Sequence, residues 1–395
     1  MTYPILVVLS SIVITAYLLE RVCKRFNIPT VLMLIGMGFF IKQGADLFGI
    51  QLPNLGLFLE IFGVIGLIFI VLEGAMELEI SSDKKWLIFK AFLMAFLVMG
   101  LSALGFMGVF AYSFKISFYT ALINAIPFSV VSSAIVIPSV AHLQKDLKEF
   151  LTYESAFSDI VGIIAFNALL KNNVLNFASL MGITWDIVAV ILLSILVCVG
   201  LVYLMNRLEG HSRFLFVMAI LVLFYSVGKL WHLSTLVLVL FFGLVMANVS
   251  GIEKGLKRLG IPLSLKAVKR SYWMFHGLVA EGTFLVKTLF FVLFGFLLSV
   301  GGLFHPVALL LGVCVAAFVF MVRLGFVKVL QIDKIVGWVG PRGLISVILF
   351  LQIPEAYRVG SLLESVLVFC VLSSSVVMAF ALKGAQKHIP SPENA

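Results

Sequence analysis

A chain of 395 residues with 62% hydrophobic and only 12% charged residues, and a mean hydropathy of +1.17, is too apolar for a soluble globular protein. No single soluble core could bury that much apolar surface, so lipid must solvate most of it. The net charge of +9 does not point to nucleic acid, because the lysines and arginines sit in short loops between apolar spans, where they set topology.

About thirteen apolar spans follow one another, each near the length a membrane crossing needs. They cover 4–22, 29–46, 54–80, 86–113, 117–142, 148–170, 182–206, 213–229, 231–250, 272–300, 304–327, 335–354 and 361–383. The first is read as a helix and not a cleaved signal, since no basic stretch precedes it. Alternate loops carry the basic clusters: Arg21 to Arg25, Lys84 and Lys85, Lys145 and Lys148, Arg207 and Arg213, Lys254 to Arg270, Arg323 to Lys334, and Lys383 with Lys387. The other loops hold only Lys42, Lys115, Lys171, Lys229 and Arg358. That asymmetry predicts an N-terminus outside a cell (inner or plasma) membrane and a C-terminus in the cytoplasm. Residues 254–270 are predicted to lie along the membrane surface as a linking helix. The short tail, 385–395, is expected to carry no regulatory domain.

The four cysteines, Cys23, Cys198, Cys314 and Cys370, lie far apart and read as packing residues, neither metal ligands nor a disulfide framework. No cofactor is expected.

Charges inside spans carry the information, because each costs roughly 2.5–3.5 kcal/mol at a helix centre. They are Glu73, Lys90, Glu154, Asp159, Glu281, Lys287 and Arg342; Glu60, Asp186 and Glu364 lie near span ends. Asp159 is mid-span, and Ser155 lies one helical turn before it on the same face. A hydroxyl beside a part-desolvated carboxylate makes an oxygen-lined niche for a small hard cation, and the same carboxylate can take a proton instead. The competing reading is a structural ion pair inside the bundle. Two further spans share an outline. Ala125-Ile126-Pro127 leads through Ser129 and Ser132 to Pro138; Gly340-Pro341-Arg342 leads through Ser346 to Pro354. Each proline frees carbonyls and breaks its helix, and matched broken helices in two halves of a membrane protein point to a transport site. At that depth Arg342 needs a partner, and Glu154 is the first choice. Lys287 either reaches the ion site as a counterion or snorkels to the interface. Lys90 and His276 read as interfacial.

These residues resemble the cation/proton antiporter superfamily, nearest the bacterial sodium/proton antiporters of its exchanger branch. The anchors are the runs beginning Phe26-Asn27-Ile28-Pro29-Thr30, Leu72-Glu73-Gly74-Ala75-Met76, Glu154-Ser155-Ala156-Phe157-Ser158-Asp159 and Gly340-Pro341-Arg342-Gly343. The resemblance implies an all-α polytopic fold of inverted repeats with two broken crossing helices, working as an elevator and assembling as a homodimer in lipid. It implies a transporting core, 86–175 and 304–384, moving against a dimerisation scaffold, 1–85 and 180–300. Asp159 matches the carboxylate loaded alternately with monovalent cation or proton. Ser155 and Glu73 match ion-coordinating positions in some members, with Ser158 beside them, and Glu154 and Arg342 match a buried pair. The sequence departs from the family in two places. Ser158-Asp159 stands where relatives carry Asn-Asp or Asp-Asp, and Ala125-Ile126-Pro127 stands where they carry Thr-Asp-Pro. A second carboxylate ligand is therefore missing. The run Ser132-Ser133-Ala134-Ile135-Val136 resembles the Kef-type potassium-efflux branch, and Lys287 falls near a lysine of electrogenic members. The expectation is antiport of sodium or lithium against protons, with potassium/proton efflux or an uncoupled carrier as alternatives. An aspartyl intramembrane protease is disfavoured, since it needs two deep aspartates.

Overall fold

The computed structural model describes residues 2–26, 29–48, 56–78, 82–171, 192–201, 203–204, 213–230, 236–248, 265–297 and 305–386, which are helical apart from short connections. In chain order the helices are α1 (Thr2–Phe26), α2 (Thr30–Leu47), α3 (Gly56–Met76), α4 (Lys85–Phe114), α5 (Phe118–Ser129), α6 (Ser133–Ser139), α7 (Lys145–Lys171) and α8 (Leu192–Leu201). They continue with α9 (Arg213–Leu230), α10 (Leu236–Ala247), α11 (Leu265–Leu297), α12 (Pro306–Leu330), α13 (Lys334–Trp338), α14 (Leu344–Leu351) and α15 (Gly360–Gln386). No strand occurs among the described residues, as expected where every backbone group must be satisfied within its own segment. Eight spans among them are long and apolar enough to cross a membrane, and the protein is a multi-pass membrane protein.

The expected span 182–206 is described only in part, as α8 and two further residues; the first part of the linker expected over 254–270 lies outside the described residues, while its end begins α11. Residues 387–395 of the tail also lie outside them. The expected spans 117–142 and 335–354 are both interrupted, the first between α5 and α6 and the second between α13 and α14.

The chain divides into two compact units. The first comprises Met1–Val64, Ile88–Gly162 and Leu285–Ala395. Within it, α12 packs along α15, and α5 packs against α14. Asn124, fully buried on α5, donates from Nδ2 to Tyr357 O at 2.8 Å beyond the end of α14. Phe128 and Phe350 meet edge-on nearby. Lys90 Nζ donates to Leu330 O at 3.0 Å, closing the last turn of α12. The second unit comprises Ile65–Leu87 and Ile163–Phe284. There Tyr272 Oη donates to Met76 O and Asn248 Nδ2 to Leu78 O, both at 2.8 Å, so two side chains satisfy carbonyls at the end of α3.

Candidate functional site: a carboxylate where two broken helices cross

The first break follows from local chemistry. Ser117 opens α5 by accepting from Thr120 N at 3.1 Å. Pro127 then removes a helical donor near the end of α5, and Ser129 Oγ turns back to donate to Ala125 O at 2.9 Å. Val130 and Val131 are β-branched and favour extended backbone, and Val130 and Ser132 are extended before α6 begins. At the second break, Asp333 caps α13 by accepting from Ile335 N at 2.9 Å. Residues 339–343 then run without helix, with Pro341 at their centre, before α14 starts. The two unwound stretches are joined directly: Ser132 N donates to Pro341 O at 2.9 Å.

α7 lies against this crossing. A Cβ on Gly162 would stand 2.3 Å from Val130 Cγ2, so only glycine allows the helix to come so near. Two neighbours then make contact with the first break. Ser158 Oγ accepts from Val131 N at 2.9 Å, and Asp159 Oδ2 accepts from Ser133 N at 3.1 Å. Asp159 is 3% exposed. Among the described residues its other oxygen, Oδ1, has no hydrogen-bond partner, and neither has Ser132 Oγ.

The other expected site residues fall as follows. Ser155 is buried, and its hydroxyl donates to Thr152 O at 3.2 Å. Ala125, Ile126, Pro127, Ser129 and Ser132 are all buried at the first break. Glu73 lies part-buried on α3 within the second unit. Lys287 lines a cavity of about 230 Å³ together with Glu20, Cys23, Ser139 and His142. No hydrogen bond or ion pair joins it to Asp159 among the described residues.

One pairing differs from the expectation. Glu154 does not pair with Arg342. It holds Arg323 instead, in a two-pronged ion pair of 2.6 and 2.9 Å, with both side chains all but fully buried. The reason lies in what each arginine faces. Arg323 Nη2 also donates to Val336 O at 2.8 Å and Val339 O at 2.6 Å, closing the C-terminus of α13. Arg342 performs the corresponding task for α5. Its Nε donates to Phe128 O at 2.8 Å, its Nη2 to Ser129 O at 3.4 Å and its Nη1 to Gly340 O at 2.6 Å. Its own N–H is taken by Ser374 Oγ at 3.0 Å. Its donors are thus spent on carbonyls that the breaks leave open.

By charge Arg323 groups with the basic loop residues that follow it, yet it is fully buried within α12. The available signal was its setting: Phe320-Met321-Val322 precede it and Leu324 to Val327 follow without a charge, unlike Lys328 and Lys334.

The family profile described as the transmembrane sodium/hydrogen exchanger matches residues 8–385. The chain is similar in fold to the structure at pH 8 of the sodium proton antiporter MjNhaP1 from Methanocaldococcus jannaschii, with TM-score 0.69, 18% identity, and coverage of 96% of this chain and 100% of that one. It is similar to an electron-microscopy structure of the same antiporter, with TM-score 0.70, 17% identity, and coverage of 99% and 100%. No curated protein matches it in sequence.

Proposed function

Because the chain belongs to the sodium/hydrogen exchanger family, within the cation/proton antiporter superfamily, we propose that it exchanges a monovalent cation for protons by way of Asp159. Sodium or lithium is the leading ion, and potassium the alternative. The observation that carries the reading is the state of that carboxylate. It is buried at the point where a membrane helix breaks; one oxygen is held by the Ser133 N–H, and the other has no hydrogen-bond partner among the described residues.

A carboxylate so placed must be neutralised to be tolerated, because a bare charge at membrane depth is costly. A proton does this by bonding to an oxygen, and a cation does it by coordination. One carboxylate cannot hold both, so loading one expels the other and the two fluxes are coupled by competition. Alternating access needs two states of the carrier that differ in the side from which Asp159 is reached. The transporting core, 86–175 and 304–384, would make that movement against a scaffold of 1–85 and 180–300 held in a homodimer. The basic loops favour an N-terminus outside and a C-terminus in the cytoplasm of the cell membrane. Ser155 is a further candidate ligand. Lys287, which lines a cavity, is a candidate counterion. Ser158 has its acceptor engaged by Val131 N, so its first duty is to brace the break.

The test is cation-dependent dissipation of a pH gradient in proteoliposomes. Asp159→Asn is expected to abolish it while the protein still folds; normal exchange by that variant would sink the assignment. Cation flux that ignores an imposed pH gradient would favour an uncoupled carrier.

A further inference from the structure

We infer that Ser132 supplies a ligand oxygen to the transported cation, and that Gly343, on the other broken helix, is the positioning residue that keeps this oxygen in place. The inference rests on the reading of Asp159 as the cation-loading group.

Three observations meet here. First, Ser132 is fully buried, and its Oγ has no hydrogen-bond partner among the described residues. Buried hydroxyls normally find partners; Ser102, Thr152, Thr288, Ser346 and Ser375 also lack one among the described residues, and what marks Ser132 is its place one residue from the Ser133 N–H that holds Asp159. Second, its neighbour Ser133 binds Asp159 Oδ2 through its N–H, while Asp159 Oδ1 shares the condition of Ser132 Oγ. Two oxygen acceptors, one a carboxylate and one a hydroxyl, thus lie on adjoining parts of one crossing, as hard-cation coordination requires. The hydroxyl of Ser155, by contrast, is turned back onto Thr152 O of its own helix. Third, the position of Ser132 is set from across the crossing. Its N–H is held by Pro341 O at 2.9 Å, and a Cβ on Gly343 would stand 2.5 Å from its Oγ and 2.8 Å from its Cβ, and 2.7 Å from Ile135 Cδ1, the far end of a side chain that can turn away. Any side chain at 343 must push the serine aside, so the second broken helix fixes a ligand on the first. With no acid in the run Ala125-Ile126-Pro127, a neutral ligand of fixed position on this broken helix has more to do in discriminating among ions.

The experiment measures apparent KM for sodium, lithium and potassium in proteoliposomes for wild type, Ser132→Ala, Gly343→Ala, Ser132→Gly and the double variant Ser132→Gly/Gly343→Ala. Ser132→Ala should raise the sodium and lithium KM about tenfold, the effect of losing one oxygen contact to a charged group. The potassium KM should rise less, since a larger ion needs a wider site. Gly343→Ala should raise sodium KM comparably, yet add little once Ser132 is already glycine, because no hydroxyl remains to be displaced. Unchanged KM for all three ions in Ser132→Ala overturns the ligand assignment. An undiminished effect of Gly343→Ala in the Ser132→Gly background overturns the positioning role. If Gly343→Ala does not fold, rescue of folding by Ser132→Gly supports the steric coupling, and rescue by Ile135→Ala but not by Ser132→Gly overturns it. Exchange that survives Asp159→Asn would instead condemn the underlying function, so the two failures are distinguishable.

Discussion

Arg323 and Arg342 close the same kind of opening under different electrostatic conditions. Each donates to the last carbonyls of a half-helix that stops inside the protein. Arg323 caps α13, which is five residues long, and it carries Glu154 as a partner. Arg342 caps α5, which is twelve residues long, and meets carbonyl oxygens and no carboxylate among the described residues. The difference follows from helix length. A three-turn helix presents a developed negative end to a cation, whereas little more than one turn sums few peptide dipoles. The longer half-helix holds its guanidinium with backbone alone; the shorter one needs an acid.

Breaking the pair that contains a true charge partner should have the largest effect. Glu154→Gln leaves the Arg323 guanidinium buried without a counter-charge and should cost about 3–5 kcal/mol, read as a fall in the thermal midpoint of the detergent-solubilised protein. Arg342→Met strands several carbonyls, but it also removes a charge that had to be desolvated. Its cost should be smaller, about 2–3 kcal/mol in the same assay. An Arg342→Met protein as unstable as Glu154→Gln would overthrow the distinction between the two arginines. Gly162→Ala forces a methyl group into Val130 and should cost about 1–3 kcal/mol, largely recovered by adding Val130→Ala. Ser158→Ala deprives the Val131 N–H of its acceptor and should cost about 1–2 kcal/mol. A change in cation KM exceeding that modest instability would show Ser158 to be an ion ligand in its own right.

What could be read in the sequence, and what could not, divides along physical lines. Prolines act locally, so Pro127 and Pro341 announced both interruptions, and the spans on either side announced themselves by length and apolarity. Asp159 could be singled out because an acid far from both ends of an apolar span has few bland explanations. The partner of Glu154 could not be found in the same way. Arginine side chains are long, and which carbonyls a break leaves open depends on where two distant segments cross. Arg323 also lies near the basic residues Lys328 and Lys334, so charge pattern alone does not separate it from a loop cluster. The role of Gly343 was equally hidden, since a missing Cβ reports nothing until the neighbour it would strike is known.

The bond from Ser132 N to Pro341 O has a consequence for which substitutions the crossing can accept. It uses only main-chain atoms, so it is blind to most side chains at either end. Residue 341 contributes its carbonyl alone, and for that reason an imino acid can stand there without loss. Residue 132 contributes its amide hydrogen, so the bond itself forbids only proline there. The two broken helices are therefore stitched by a link that, taken by itself, tolerates drift in chemistry on one side and forbids a single letter on the other.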